Sequence, residues 1–133
     1  MVLPNKHVRK AIYDAIKNDY DCFDTNVTGN QNKTQYVIIS TQNENIDKAN
    51  KCNYRWESYT LLDLVTIYNG AGNVGSRVAV DDMKNDILAL INNLEIDGYT
   101  VVNTRYEFPN GIETSTTTQT VFRSFIRVIL TLQ

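Results

Sequence analysis

The sequence predicts an α+β fold in which two helices cover one face of an antiparallel four-stranded sheet. Three observations predict it. Two segments carry apolar residues at helical spacing, four segments are β-branched or alternate between apolar and polar residues, and long polar connections join the strands in pairs. The element order is αββ-αββ, and the 133 residues have the length of one domain, so we predict a single domain over residues 1–133.

The first αββ unit begins with a helix over residues 5–19, because Val8, Ile12 and Ile16 recur on one helical face. The polar segment 21–33 is predicted to be a loop, and the β-branched run 36–41 is predicted to be strand 1. Residues 42–53 are rich in Asn and Lys and are expected to form a long unpacked connection. Strand 2 is predicted over about 54–68.

The second unit follows the glycine loop 69–76. Helix 2 is predicted over 78–94, where Val80, Met83 and Ile87 begin its apolar face. Strand 3 is predicted over 99–108, and a second polar connection begins at 109. Strand 4 is predicted over 120–132; because it is longer than the usual 5–6 residues, its excess is expected to project as a hairpin arm.

The charge balance argues against a nucleic-acid-binding protein. There are 13 Lys and Arg against 15 Asp and Glu, no cationic run exceeds two residues, and a protein that grips phosphates needs basic patches. No apolar stretch has the length of a signal peptide or of a membrane span. Cys22 and Cys52 are therefore expected to be reduced thiols.

One motif suggests a nucleotide site. The segment Gly70-Ala-Gly-Asn-Val-Gly75 matches G-x-G-x-x-G between a strand and a helix, with Glu95 and Asp97 about 20 residues further on. A small nucleotide-binding or enzymatic α+β domain that uses this loop is the alternative function. Asp63 argues against it, because it lies within strand 2, whereas the strand before a dinucleotide loop is almost wholly apolar. The other interpretation of this glycine-containing segment is a flexible connection between strand 2 and helix 2.

Residues for other chemistry are few. His7 is the single histidine and is expected to be an exposed residue at the start of helix 1. The acids of helix 2 (Asp81, Asp82 and Asp86) are expected to form a solvated face. We therefore predict a non-enzymatic protein without catalytic, cofactor-binding or metal-binding residues.

Strand 4 carries the most informative surface. Arg123 and Arg127 share a face with Phe125 and Ile129, and Arg105 joins them if strands 3 and 4 pair. Arg and aromatic residues are enriched in protein interfaces, so we predict a subunit interface here. Cross-strand salt bridges, with the arginine stems covering the sheet, are the alternative. The Thr-rich tip adds two predicted contacts, Thr116 and Thr117.

The layout resembles the tail-completion or tail-terminator proteins of tailed bacteriophages. The residues that carry the resemblance are the opening helix 8–16, Gln35–Thr41, the strand Trp56–Ile67, the second helix from Val80, Gly98–Val102 and the closing strand Val121–Leu132. This chain departs from the family in its two long polar hairpin tips. Because of them, the resemblance does not fix where in the particle a ring of this chain would lie. A neck or collar ring protein of a short-tailed phage fits equally well.

The resemblance implies a structural virion protein that is assembled in the host cytoplasm. It implies a homo-oligomeric ring, sixfold or twelvefold, at the neck between the head connector and the tail. Portal, connector and tail proteins are the implied partners, and DNA passes through the channel without specific binding. A generic protein-interaction adaptor is a third possibility.

Overall fold

The computed structural model describes residues 3–24, 34–47, 55–70 and 75–133. This part of the chain contains two helices and six strands, which confirms the α+β class. In chain order they are α1 (Asn5–Ile16), β1 (Asp21–Phe23), β2 (Gln35–Asp47), β3 (Arg55–Asn69), α2 (Arg77–Leu90), β4 (Val101–Glu107), β5 (Ile112–Ser115) and β6 (Gln119–Leu132).

The six strands form one sheet in the order β1-β2-β3-β6-β4, and β5 also pairs with β6. Every pairing is antiparallel except that of β1 with β2, which is parallel. The prediction of a largely antiparallel sheet is therefore confirmed, whereas the predicted number of four strands is wrong.

Both helices lie on the same face of the sheet, where they bury their apolar stripes. α1 contributes Val8, Ile12 and Ile16, and α2 contributes Val80, Met83 and Ile87, all at most 4% exposed. Alternate residues of β3 and β6 meet them, because successive side chains of a strand point to opposite faces. The apolar side chains on this side of the two strands are Trp56, Leu62, Leu64, Phe122, Ile126, Val128, Leu130 and Leu132.

The helix ends differ from the predicted ones by one to four residues. α1 ends at Ile16 instead of residue 19, and α2 spans 77–90 instead of 78–94. The Ser76 hydroxyl caps α2 by accepting a hydrogen bond from the Val78 backbone N–H at 3.1 Å. α1 has no such cap of its own; the Glu44 carboxylate of β2 accepts a hydrogen bond from the backbone N–H of Asn5 instead.

Three segments predicted to be polar connections contain strands. Residues 21–23 form β1, residues 112–115 form β5, and β2 continues to residue 47 by pairing with the start of β3. The side chains of these segments are mostly polar because they lie at exposed parts of the sheet. The backbone of each segment pairs with a neighbouring strand, although its side chains do not alternate between apolar and polar. Residues 25–33 and 48–54, which complete the two predicted connections of the first unit, lie outside the described residues.

The expectation that the last strand projects as an arm is wrong. β6 is held between two neighbours: β3 pairs with its entire length on one side, and β4 and β5 share the other side. Its length exceeds the average because it spans the whole sheet at a central position. The long strand is therefore part of the body of the molecule.

Candidate assembly interface

The face of the sheet that points away from the helices is called here the open face. Strand alternation places on it every second residue of the central strands, and the register brings the outer strands into line with them. Its main side chains are Tyr36 and Ile38 of β2, Glu57, Tyr59, Leu61, Asp63, Val65 and Ile67 of β3, Arg105 and Glu107 of β4, and Val121, Arg123, Phe125, Arg127 and Ile129 of β6.

Arg123 forms an ion pair across the strands with Asp63 of β3. The two side chains approach to 2.5 Å, and the Asp63 side chain is only 10% exposed. Burial raises the pKa of the Asp63 carboxyl, and the Arg123 guanidinium opposes that shift. The second carboxyl oxygen, Oδ1, is buried and has no protein partner in the described part of the chain. Keeping the Asp63 carboxyl group ionised at this site therefore costs free energy, which the Arg123 guanidinium partly offsets.

Arg127 lies beside an acidic residue of β4, and Arg105 lies beside a tyrosine of β3. β4 pairs with β6, which confirms that Arg105 shares the face of the two β6 arginines, and the same register places Glu107 opposite Arg127 at 3.4 Å. Arg105 lies beside Tyr59, whose hydroxyl donates a hydrogen bond to Glu57 at 2.8 Å. That hydrogen bond is the main cause that raises the pKa of Tyr59.

Apolar side chains separate these ion pairs. Ile129 is 1% exposed although it points to the open face, because it lies between Tyr59 of β3 and Arg105 of β4 in the register. Phe125 and Leu61 are half-buried. A shallow hollow of about 290 Å³ lies above this region; its lining residues are Thr41, Asn43, Tyr59, Leu61, Glu107 and Arg127.

A small apolar cluster extends the open face toward β1. Tyr36, Ile38 and Val65 are buried there, and Phe23 meets the Tyr36 ring edge-on at 5.9 Å between centroids. The sequence analysis placed Phe23 in a loop and therefore missed this contribution. The alternation of side chains along β3 was the one feature of the sequence that could have predicted the position of Val65 in this cluster.

Thr116 and Thr117 lie elsewhere, at the turn between β5 and β6. The Thr116 hydroxyl accepts hydrogen bonds from the backbone N–H groups of Thr118 at 3.3 Å and Gln119 at 3.1 Å, so this side chain stabilises the turn. Thr117 is exposed. From Gln119 at the end of this turn, Arg123 is four strand residues away, roughly 13 Å, and Ile129 is ten residues away, roughly 33 Å, so the predicted contacts extend along most of β6.

Arg9 is a structural residue that the sequence analysis missed. Its guanidinium reaches from α1 to β2, where it donates to the backbone oxygens of Ile39 at 2.7 Å and Ser40 at 3.3 Å. It also contacts Gln42 at 3.0 Å and Asp24 at 3.2 Å. These contacts lie where the register of β2 shifts, between Ile39 and Gln42, so Arg9 fixes an irregular part of the sheet edge.

The glycine loop has a packing explanation at its described end. Gly75 has φ +92°, and a Cβ there would lie 2.2 Å from the Tyr68 ring. Residues 71–74, which include the central glycine of the motif, lie outside the described residues. Glu95 and Asp97 follow the far end of α2, which at 14 residues is about 21 Å long, so they are not brought to the loop that precedes it.

Other candidate residues have ordinary surroundings. His7 lies 6.1 Å from the Tyr99 ring between centroids, and burial raises the pKa of the free Cys22 thiol to about 12. Cys52 lies outside the described residues. In the described ranges, no three His, Cys, Asp or Glu side chains come together as metal ligands. Neither helix of this part of the chain is long and apolar enough to cross a membrane.

Comparison with solved structures finds the same fold in a virion chain. A chain from the virion of a native gene transfer agent particle superposes with a TM-score of 0.67 and 9% sequence identity, and the match covers 98% of this chain and 99% of that chain. The sequence matches no protein-family model and no curated protein. At this identity the likeness establishes a shared fold over the full length of both chains.

Proposed function

We propose that this chain is a structural virion protein that forms a homo-oligomeric ring at the head–tail junction of a tailed phage or phage-like particle. The ring, sixfold or twelvefold, joins the portal or connector to the tail and leaves a channel for DNA. Its subunits contact one another through the open face, with Arg105, Arg123, Phe125, Arg127 and Ile129 at the contact. The hairpin tip with Thr116 and Thr117 also contacts a neighbouring subunit.

The observation that carries this proposal is the full-length likeness to a chain of a gene transfer agent virion. The match leaves almost no residue of either chain unaligned, so this chain has the elements of that one and little besides. A fold can serve many functions, so the likeness supports the proposal only together with the surfaces of this chain.

The chemistry of the open face supports a protein partner. Arg123 pairs with Asp63 and Arg127 with Glu107 of the same sheet, and Arg105 lies beside Tyr59, so two of the three arginines have their charge balanced within the face. Half-buried Phe125 and Leu61 lie between these pairs, and interfaces between proteins combine such apolar residues with arginine. The net charge of −2 is compatible with a channel that DNA passes without being held.

Electron microscopy of the purified chain, alone and mixed with the portal or connector of its particle, tests the proposal. We expect closed rings in class averages, and particles that lack the chain should yield filled heads and separate tails. A chain that stays monomeric in both samples, together with normal particles in its absence, contradicts the proposed function.

A further inference from the structure

β4 and β5 lie end to end along one side of β6. β4 pairs with residues 127–132 of β6 and β5 pairs with residues 120–123, while residues 108–111 connect the two. Within the described ranges no strand pairs with their other side. The two strands therefore form one long free edge of the sheet.

The hydrogen-bond pattern shows which backbone groups this edge offers. Thr100 and Gln133 exchange backbone hydrogen bonds of 2.8 and 2.9 Å, which fixes the phase of the antiparallel ladder. The phase is followed along β6, because β4 has a register shift between Val101 and Asn103. Bonded and non-bonded positions of β6 alternate from Gln133, and Thr104 and Tyr106 face non-bonded ones. Their N–H and C=O groups therefore point away from the sheet, where another strand can bind them.

Exposed apolar side chains are concentrated along the same edge. Val102 is 46% exposed, Phe108 50% and Ile112 51%. Free edges are usually protected by lysine, proline or a covering segment, because they otherwise pair with other chains. β4 contains neither lysine nor proline. This edge therefore has the features of a surface that is covered by a partner.

The opposite edge of the sheet is only partly covered. β1 pairs with residues 36–38 of β2, and Arg9 takes the backbone oxygens of Ile39 and Ser40. The second half of β2, residues 42–47, has no strand on its outer side in the described part of the chain. The Ile67 N–H donates to the Thr34 oxygen at 2.7 Å, which fixes the phase of the ladder between β2 and β3. The phase is followed along β3, because β2 has a register shift between Ile39 and Gln42. Glu44 and Ile46 then face non-bonded positions of β3, so their backbone groups point outward.

We propose that β4 of one subunit pairs with residues 42–47 of β2 in a second copy of this chain, so that the sheet continues from subunit to subunit. The inference rests on the proposed ring. Two different edges on opposite sides of one sheet make a head-to-tail contact, which closes into a ring when the rotation per subunit permits. The two segments have nearly equal lengths, seven and six residues. Ile46, 42% exposed, supplies an apolar side chain for the edge that carries Val102 and Phe108.

Proline substitutions at the outward positions test the pairing. Thr104→Pro and Ile46→Pro each remove one outward N–H without removing a bond of the internal ladder, and edge strands tolerate proline. Thr104→Val is the matched control, because it changes the side chain and keeps the N–H. Val102→Lys and Ile46→Lys are the second pair of variants, in case a proline variant does not fold by circular dichroism.

Mass photometry and sedimentation velocity give the readout. We expect wild type and Thr104→Val to assemble, and each proline variant alone to associate at least tenfold more weakly. An equimolar mixture of the two proline variants should form heterodimers that stop there, because one intact β4 edge then meets one intact β2 edge. If Ile46→Pro alone still forms dimers, the contact is between two β4 edges, and the proposal is wrong.

The two proposals fail in different ways. If folded Thr104→Pro forms rings of wild-type mass, the edge pairing is overturned and the ring function stands. If the wild-type chain remains a monomer at its highest soluble concentration, the edge pairing is overturned as well. A ring that forms only on the connector would then still support the proposed function.

Discussion

Gly75 shows how a single residue can suggest one function and serve another purpose. In the sequence it completes a nucleotide-binding motif, whereas in the structure it allows the chain to turn beside the Tyr68 ring with φ +92°. Only glycine adopts this backbone conformation without strain and leaves room for the ring. The motif describes glycine spacing, and glycine spacing does not distinguish a phosphate cradle from a tight packing contact.

Replacing Gly75 by alanine should destabilise the protein more than replacing Gly98. Gly98 also has positive φ, +81°, but a Cβ there meets nothing within 4 Å, so Gly98→Ala costs only backbone strain of about 1 kcal/mol. Gly75→Ala adds a clash with Tyr68, for a total of about 2–4 kcal/mol. Urea unfolding of both variants measures the difference. Equal losses would show that the Tyr68 contact does not require glycine.

The Asp63–Arg123 pair predicts a pH dependence of stability. Burial raises the pKa of Asp63 above its ordinary value of 3.8 in the folded state, so the folded protein binds this proton more tightly than the unfolded chain. The stabilising contribution of Asp63 is therefore fully present below pH 3.8 and is lost as the pH rises through the raised pKa. The difference in unfolding free energy between wild type and Asp63→Asn should decrease from acid to neutral pH.

Chemical denaturation at a series of pH values measures that difference. Glu107→Gln is the matched control, because Glu107 also pairs with an arginine of β6 but its side chain is 55% exposed. A wild-type advantage over Asp63→Asn that grows with pH would mean that Arg123 outweighs burial and lowers the pKa.

At the scale of whole elements, sequence periodicity predicts the parts that the core determines. α1, α2, β3 and β6 each bury one side against the others, so their patterns are visible in the sequence. β5 and the second half of β2 lie at edges, where most side chains are polar and face water, and β1 has only three residues, of which Cys22 and Phe23 are half-buried. β5 and the second half of β2 pair with segments that follow them closely, as in Ser115 with Thr120 and Asp47 with Arg55, but no apolar alternation marks either of them in the sequence.

Arg9 makes contacts that no local pattern marks, because its partners Ile39 and Ser40 are distant in the chain. Arg9→Ala removes charge-assisted hydrogen bonds to backbone oxygens of β2 and should cost about 1–3 kcal/mol of unfolding free energy. Lys10→Ala, at the neighbouring exposed position of α1, is the control and should stay within about 0.5 kcal/mol of wild type. Thermal and urea unfolding test both variants. Equal stability of the two variants would show that Arg9 does not hold the β2 edge.

For the molecule as a whole, the sequence predicts which residues of β6 share the open face, whereas most of the residues that β2 and β3 add to this face were not predicted. Alternation along β6 places Arg123, Phe125, Arg127 and Ile129 on one face, and pairing of β4 adds Arg105. The contribution of the neighbouring strands could not be predicted in detail, because it depends on the order and register of the whole sheet. The Thr-rich turn lies at the end of β6 that carries Arg123, and its side chains have no apolar alternation that assigns them to this face.

Arg127 tests whether the open face acts within the subunit or between subunits. Arg127→Glu places a second acid opposite Glu107, which in an exposed cross-strand pair costs the monomer less than about 1 kcal/mol. At a buried contact between subunits the same change leaves charges without partners, so assembly should weaken at least tenfold, about 1.4 kcal/mol.

The double variant Arg127→Glu, Glu107→Arg restores the pair within the sheet but exchanges the charges that a neighbour meets. We expect it to recover wild-type unfolding free energy and to remain defective in ring formation by mass photometry. Recovery of both properties would confine this ion pair to the sheet of its own subunit and leave the ring contacts to the free edges.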